Sequence, residues 1–323
     1  MWKTVVRRLL IMLPQLVIIS FVMFLLALAM PGDALTGMID PNLTDQDLAA
    51  MRALLGLDLP WYTRYWRWIS GIIFEFDFGS STSHFLPVTT VIGQRMSNTF
   101  WLSLFTLILT YFIAIPSGIA AGRWKNSPLD KGIMFYTFIA LALPTIVMGI
   151  IMIFVFSFGL GWFPAGGSVS PVIMATGYWW DILISRIYYM ILPGVTGALL
   201  GTIGIIYMLR ANIIDRAYSE YVVLARSKGV PQKTLFNRHI LRNSLVPIAS
   251  GAGFLIIALL AGSIFVEQIF AYPGMGTLFI SSIQQRDFAV ANTLILLFAF
   301  LTAIGVLVSD IILTVVDPRI RIK

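Results

Sequence analysis

Apolar runs broken by short polar stretches set the plan of this chain. Six such runs stand out, at Leu9–Met30, Asn98–Ala121, Gly132–Phe158, Ile187–Leu209, Val246–Phe270 and Ala289–Val316. An α-helix rises about 1.5 Å per residue, so roughly 20 apolar residues cross a hydrocarbon layer of about 30 Å. Each run meets that length, and the pattern predicts six membrane-spanning helices. The first run follows Lys3, Arg7 and Arg8 and so imitates a secretory leader. It is longer than the usual leader core of roughly 7–15 residues, and no small-x-small cleavage site follows directly. It is therefore expected to stay as an uncleaved span.

The polar breaks differ in kind. The one between Pro31 and Met96 is long. In it Thr44 is placed to cap a helix with Asp45 and Asp47 in the first turn, ending at Gly56. The aromatic stretch after it, TRYWRWISGIIFEFDFG, suits the membrane surface, where Trp and Tyr rings prefer to sit. Two uses fit it: packing on the outer ends of the spans, or a docking face for an extracytoplasmic partner. Trp162–Gly167 reads as a turn, and WWDILIS, beginning at Trp179, as a short interfacial helix ahead of the fourth span.

The break from Arg210 to Pro247 holds Arg210, Arg216, Arg226, Lys228, Lys233, Arg238 and Arg242. Its pattern predicts a helix over Ala217–Lys228 stopped by Gly229. A second helix follows over Gln232–Asn243, with Pro231 at its first position, where a missing N–H is harmless. Two short helices meeting at a Gly-Val-Pro corner form a projecting wedge. Ala225 and Gly229 are small enough to admit another surface. A solvated basic loop that only orients the chain is the other reading of these residues.

Composition agrees with a polytopic membrane protein. Hydrophobic residues make up 58% of the 323 and charged ones 11%, with mean hydropathy +0.88, where soluble domains carry about 25% charged. The net charge of +7 does not indicate nucleic acid, because the bases flank spans. With the N-terminus inside, the inner segments hold Lys3, Arg7, Arg8, Arg123, Lys125, Lys131, the seven of the 210–242 break, and Arg319, Arg321 and Lys323. These are most of the chain's 22 basic residues, and basic inner loops set orientation. Both termini are then cytoplasmic.

Chemistry is sparse. There is no cysteine, and the two histidines, His84 and His239, fall on opposite sides of the membrane in this topology. No phosphate-binding Gly-Lys-Ser/Thr loop, GxSxG or HExxH occurs. Glu267 and Asp310 lie near opposite ends of their spans, too far apart in depth to share a proton, so an enzyme is not expected. An acid at membrane depth is costly and faces a bundle interior or water. Asp310 reads as the partner of a base near the inner boundary, Glu267 as a boundary residue; a place in a translocation path is the functional alternative for both. Pro116, Pro144 and Pro193 lie in or beside spans, where they break helix hydrogen bonds.

The segment EYVVLARSKGVPQKTLFNRHILRNSLVP resembles the cytoplasmic loop of binding-protein-dependent ABC-transporter permeases, more narrowly the first-permease type of the oligopeptide/dipeptide/nickel family. The matching residues are Glu220, Tyr221, Val222, Ala225, Arg226, Lys228 and Gly229, then Arg238, His239, Leu241, Arg242, Asn243, Leu245 and Pro247. Ser227 departs from the usual alanine, a small-for-small change. Shorter stretches extend the resemblance over nearly the whole chain: Pro31-Gly32-Asp33, Gly56-Leu57-Asp58, Asp77-Phe78-Gly79, Arg95 with Asn98-Thr99, Gly161-Trp162-Phe163-Pro164, Val266–Phe270 with Pro273–Gly276, Gln285-Arg286-Asp287 and Val316–Arg319.

The resemblance implies an all-α membrane fold of six transmembrane helices, the type I ABC importer (MetI-like) permease fold. Residues 1–94 would form the first span and the long outer loop. Residues 95–317 would form the permease core with a coupling loop at 210–247, and 318–323 a cytoplasmic tail. It implies a permease subunit in a prokaryotic inner or plasma membrane, paired with a similar second permease. Two cytoplasmic ATPases holding ATP and Mg, and an extracytoplasmic substrate-binding protein, complete the system; the chain itself carries no cofactor. Glu220, Tyr221, Ala225, Arg226, Lys228, Gly229, Arg238, His239, Arg242 and Asn243 are its expected coupling residues. Peptides are the expected cargo, with oligosaccharides or nickel as alternatives. A non-transport scaffold, or a channel without an ATPase, is the rival class.

Overall fold

The computed structural model describes residues 2–29, 49–50, 52–53, 56, 58–251, 258 and 263–316. These are helical apart from turns and one isolated β-bridge, Ser80 to Pro87. The helix expected from Thr44, the Pro31-Gly32-Asp33 stretch, the middle of the run at Val246–Phe270 and the C-terminal bases lie largely or wholly outside the described residues.

The first span is α1, Trp2–Ala29. The aromatic outer stretch forms α2, Trp61–Ser70, continued by a π-helical turn, Gly71–Glu75. It packs on α1: Ser20 Oγ and Tyr65 Oη lie 2.9 Å apart, and Tyr65 meets Phe21 and Phe24 edge-on. Trp61, Tyr62 and Trp66 remain exposed, so one face of α2 packs on the bundle and the other is open.

Two spans are much longer than their apolar runs. Helix α3 covers Val88–Arg123 behind Pro87 and so begins ten residues before the hydropathy rise at Asn98. Its added turns look polar because their apolar residues, Val88, Val91, Ile92 and Met96, are interleaved with Thr, Gly, Gln, Arg and Ser. Val88, Val91 and Ile92 bury against Met275, Leu278, Val290 and Leu294.

The third run breaks in two. Helix α4, Pro128–Ala142, and α5, Thr145–Met152 with a π-helical extension Ile153–Gly159, meet at 105°. Pro144 forces Leu143 into extended backbone (φ −88°, ψ 122°), as a residue before proline prefers. The expected span at Gly132–Phe158 is therefore a bent pair, broken at Pro144. Pro116 and Pro193, by contrast, sit inside continuous helices.

A short helix α6, Pro171–Thr176, precedes α7, Trp179–Ala217. WWDILIS is not a separate interfacial helix. It is the first turns of α7, started by Asp181, whose Oδ2 accepts from Tyr178 N at 3.1 Å. At the other end α7 continues through Arg210 to Ala217, because Leu209 and Ile213 stay buried.

The chain then forms α8, Glu220–Ser227, and α9, which runs from Gln232 through a π-helical segment, Leu235–Leu241, to Ser244. After α10, Val246–Ser250, description resumes near α11, Ile264–Ile269, followed by α12, Met275–Gln284, and α13, Phe288–Val316. Among the described residues four helices are long and apolar enough to cross a bilayer, and the bent α4–α5 pair makes a fifth if it crosses as one.

Helices α3 and α7 pack along their length and form the central pair. Apolar burial gives little drive inside lipid, so close approach through small residues must hold them. A Cβ added at Gly122 would stand 2.8 Å from Ile213 Cβ, a branched atom with little room to yield. We expect Gly122→Ala to push the pair apart and to destabilise by about 1–3 kcal/mol, the usual range for overpacking. A lowered thermal midpoint in detergent would show it; an unchanged midpoint would mean the pair closes elsewhere.

Candidate functional site

The α8–α9 wedge is built from its own small core. Val222, Ala225, Leu235, Phe236 and Ile240 are buried together with Leu209 and Ile213 of α7. The π-helical turn of α9 suits this packing, since residues five apart then share a face and Leu235 and Ile240 point the same way. Ala217 ends α7 instead of opening α8, so the first wedge helix starts at Glu220.

The corner is a Schellman turn. Gly229 takes φ +75°, Gly229 N donates to Arg226 O at 3.0 Å, and Val230 N to Ala225 O at 3.2 Å. That pattern satisfies the last carbonyls of a helix around a left-handed residue. Pro231 lies just outside α9, with φ −57° and ψ 143°, and not at its first helical position.

Three of the expected coupling residues hold the helices to each other. Asn243 Nδ2 donates to Tyr221 Oη at 3.1 Å and to His239 O at 2.9 Å. Tyr221 Oη also points at His239 O, 3.4 Å away. Ala225 turns inward, so its small size serves the wedge's own core and not the approach of another surface. Glu220, Arg226, Lys228, Gly229, Arg238, Arg242 and Asn243 are exposed.

Between these polar groups the structure exposes two apolar side chains the sequence reading passed over, Val223 at 54% and Leu224 at 57%. Their signal was present: in a short helix with Val222 and Ala225 inside, residues 223 and 224 must face out. An apolar pair flanked on its own helix by the exposed Glu220, Arg226 and Lys228 has the make-up of a protein interface, with an apolar centre and a polar edge.

Glu267 lies at the other end of the bundle. Thr99 and Arg123 are 24 residues apart on α3, roughly 36 Å at 1.5 Å per residue. Glu267, expected near the end of its span, is fully buried within the protein: its exposure is 0%. It accepts from Thr99 Oγ1 at 2.7 Å, Gly276 N at 2.7 Å and Thr277 N at 3.2 Å. Thr99 Oγ1 in turn accepts from Met275 N at 2.7 Å. The first N–H groups of α12 are thus satisfied by α3 and α11, where a helix start leaves them without intrahelical partners. A carboxylate there also complements the helix dipole. Asn98 adds a bond from its Nδ2 to Pro273 O at 2.9 Å. Glu267 is therefore the knot tying α3, α11 and α12 together.

Asp310 pairs with Arg8, whose Nε lies 2.5 Å from Asp310 Oδ2, joining α13 to α1. No group of three or more His, Cys, Asp or Glu among the described residues could hold a metal ion. One further charged pair was not foreseen. Arg210, counted above as a loop base, lies within α7 and grips Asp130 of α4 through two bonds, Nε–Oδ1 at 2.7 Å and Nη2–Oδ2 at 2.9 Å.

Comparison with known proteins places this architecture. The family described as binding-protein-dependent transport system inner membrane component matches residues 114–322, and the N-terminal region of such membrane components matches residues 1–103. The chain belongs to this family: it is a multi-pass permease component of a transport system, and the family is not one of enzymes. It is 36% identical over 318 residues to the oligopeptide transport system permease protein AppB of Bacillus subtilis (strain 168), covering 98% of each chain. It is 32% identical over 324 residues to the glutathione transport system permease protein GsiC of Escherichia coli (strain K12), covering 100% of each.

Proposed function

We propose that this chain is one of two permease subunits of an ATP-driven importer of di- and oligopeptides, and that the α8–α9 wedge is where a cytoplasmic ATPase docks. The observation that carries the docking is the exposed Val223–Leu224 pair with the charged groups beside it, Glu220, Arg226 and Lys228. The relatives support the cargo, since one is named for oligopeptides and the other for glutathione, itself a tripeptide.

The remaining features follow from that reading. The wedge shares its end of the bundle with Arg123 and Lys125, and the basic end faces the cytoplasm. Both termini are then cytoplasmic, and six spans cross the inner or plasma membrane. Residues 1–94 form the first span with the outer loop, 95–317 the permease core and 318–323 the tail. ATP and Mg sit on the partner ATPases. ATP favours the closed ATPase pair, and the wedges follow it, so the spans rock between inward and outward openings as rigid bodies. An extracytoplasmic binding protein delivers the peptide.

The test is co-purification. ATPase subunits should come with the tagged chain from membranes. The double substitution Val223→Asp with Leu224→Asp should lower their recovery by about tenfold, the effect of losing 1.4 kcal/mol. Equal recovery from the variant would exclude this face, and no ATPase with the unaltered chain would exclude the importer.

A further inference from the structure

The wedge has a second support that nothing above assigns to coupling. Arg123, the last residue of α3, touches the wedge, and Lys125, in the turn to α4, touches the link that leads into it. Arg123 places its guanidinium 4.7 Å from the Phe236 ring centre, and Lys125 Nζ lies 5.9 Å from that of Tyr218, both within reach of a cation–π attraction. The start of α4 is bound to α7 by the Asp130–Arg210 fork, and the turn is tied to it through Asn126 N.

The acid side of that fork is held. Asp130 is 2% exposed, and Asp130 Oδ2 accepts also from Asn126 N at 2.8 Å. Asn126 sits in left-handed backbone, φ +64°, and Ser127 Oγ accepts from Asp130 N at 3.2 Å to start α4. A buried ion pair adds little net stability over an apolar pair of the same shape, because desolvation offsets the attraction. A two-bond fork does fix orientation. Helix α4 runs from this fork straight to the 105° break at Pro144.

We infer that the α3–α4 turn is a second coupling element, in which Asp130 and Arg210 are positioning residues that make turn and wedge move as one body and so drive the bent α4–α5 pair. The inference rests on the wedge being the ATPase dock.

The experiment uses the complete transporter, both permeases with ATPases and binding protein, in proteoliposomes. It reads uptake of a labelled mixture of short peptides and ATP hydrolysis side by side. Asp130→Asn and Arg210→Gln should each lower uptake per ATP by about tenfold, within the range of coupling between sites. Their combination should be no worse than either, as for residues acting as one unit. The chain has no cysteine of its own, so Lys125→Cys with Tyr218→Cys can be bridged cleanly by a short bis-maleimide. Bridging should leave uptake intact in the parent and restore it in Asp130→Asn. Where Asp130→Asn does not assemble, Arg210→Lys, which keeps the charge but loses the fork, carries the same expectation.

Loss of uptake on bridging the parent, an unchanged uptake-to-ATP ratio in the variants, or uptake and hydrolysis falling in proportion would each overturn the inference. Gly229→Pro run in parallel separates the two readings. If it uncouples while the Asp130 and Arg210 variants do not, only the turn is excluded; if it too transports normally, the dock itself is wrong.

Discussion

We expect Gly229→Pro to leave the chain in the membrane and to abolish ATP-driven uptake. Gly229 sits at φ +75°, whereas proline is locked near −65°, so the Schellman corner cannot form. The substitution also deletes the N–H that bonds Arg226 O at 3.0 Å. The damage stays local, because the spans bury their faces without the corner, so membrane-fraction levels should be close to the parent. Gly229→Ala is the control. An added Cβ meets nothing within 4 Å, so the cost is only the left-handed backbone, about 1–2 kcal/mol, and most uptake should survive. Uptake assays on cells matched for membrane-bound protein decide the matter. Parental uptake in the proline variant would remove the corner from the mechanism.

Glu267→Leu is expected to have the largest effect on stability. It removes the acceptor of Thr99 Oγ1, Gly276 N and Thr277 N in a site with no water access. Each buried donor left unsatisfied costs about 1–3 kcal/mol, and whole domains are stable by only about 5–15 kcal/mol. The variant should be lost from the membrane or aggregate on extraction, as read by gel filtration in detergent. Glu267→Gln keeps one acceptor oxygen and should be far milder. Gly274→Ala should resemble the leucine variant, because its Cβ would lie 2.4 Å from the Glu267 carboxylate. A stable, monodisperse Glu267→Leu protein would show that α12 is held by something other than this knot.

Most of the helices were legible from hydropathy, because lipid leaves a backbone few options besides a helix that bonds within itself. Their ends were less so. Hydropathy averages a window, and α3 and α7 continue beyond the apolar runs as one-sided helices whose polar faces hide the pattern. Pro144 was visible as a break, but its 105° angle was not, since Pro116 and Pro193 are the same residue in helices that continue. In the wedge, Gly229 announced its left-handed turn. Its inward and outward sides are not separable by residue type alone: Ala225 is small enough for either, and Leu224 faces out only once Val222 and Ala225 are placed inside.

The sequence by itself determined what depends on neighbours along the chain: apolar length, basic loops, the Gly229 stop and the match to a permease family. Only the tertiary structure decided what depends on partners far apart in number. Glu267 changes from a boundary acid to a buried knot because Thr99, 168 positions away, meets it. Arg210 changes from a loop base to a joint because Asp130 lies 80 positions back. A charge's cost and use are set by the groups that desolvate and bond it, and those groups are brought together by folding.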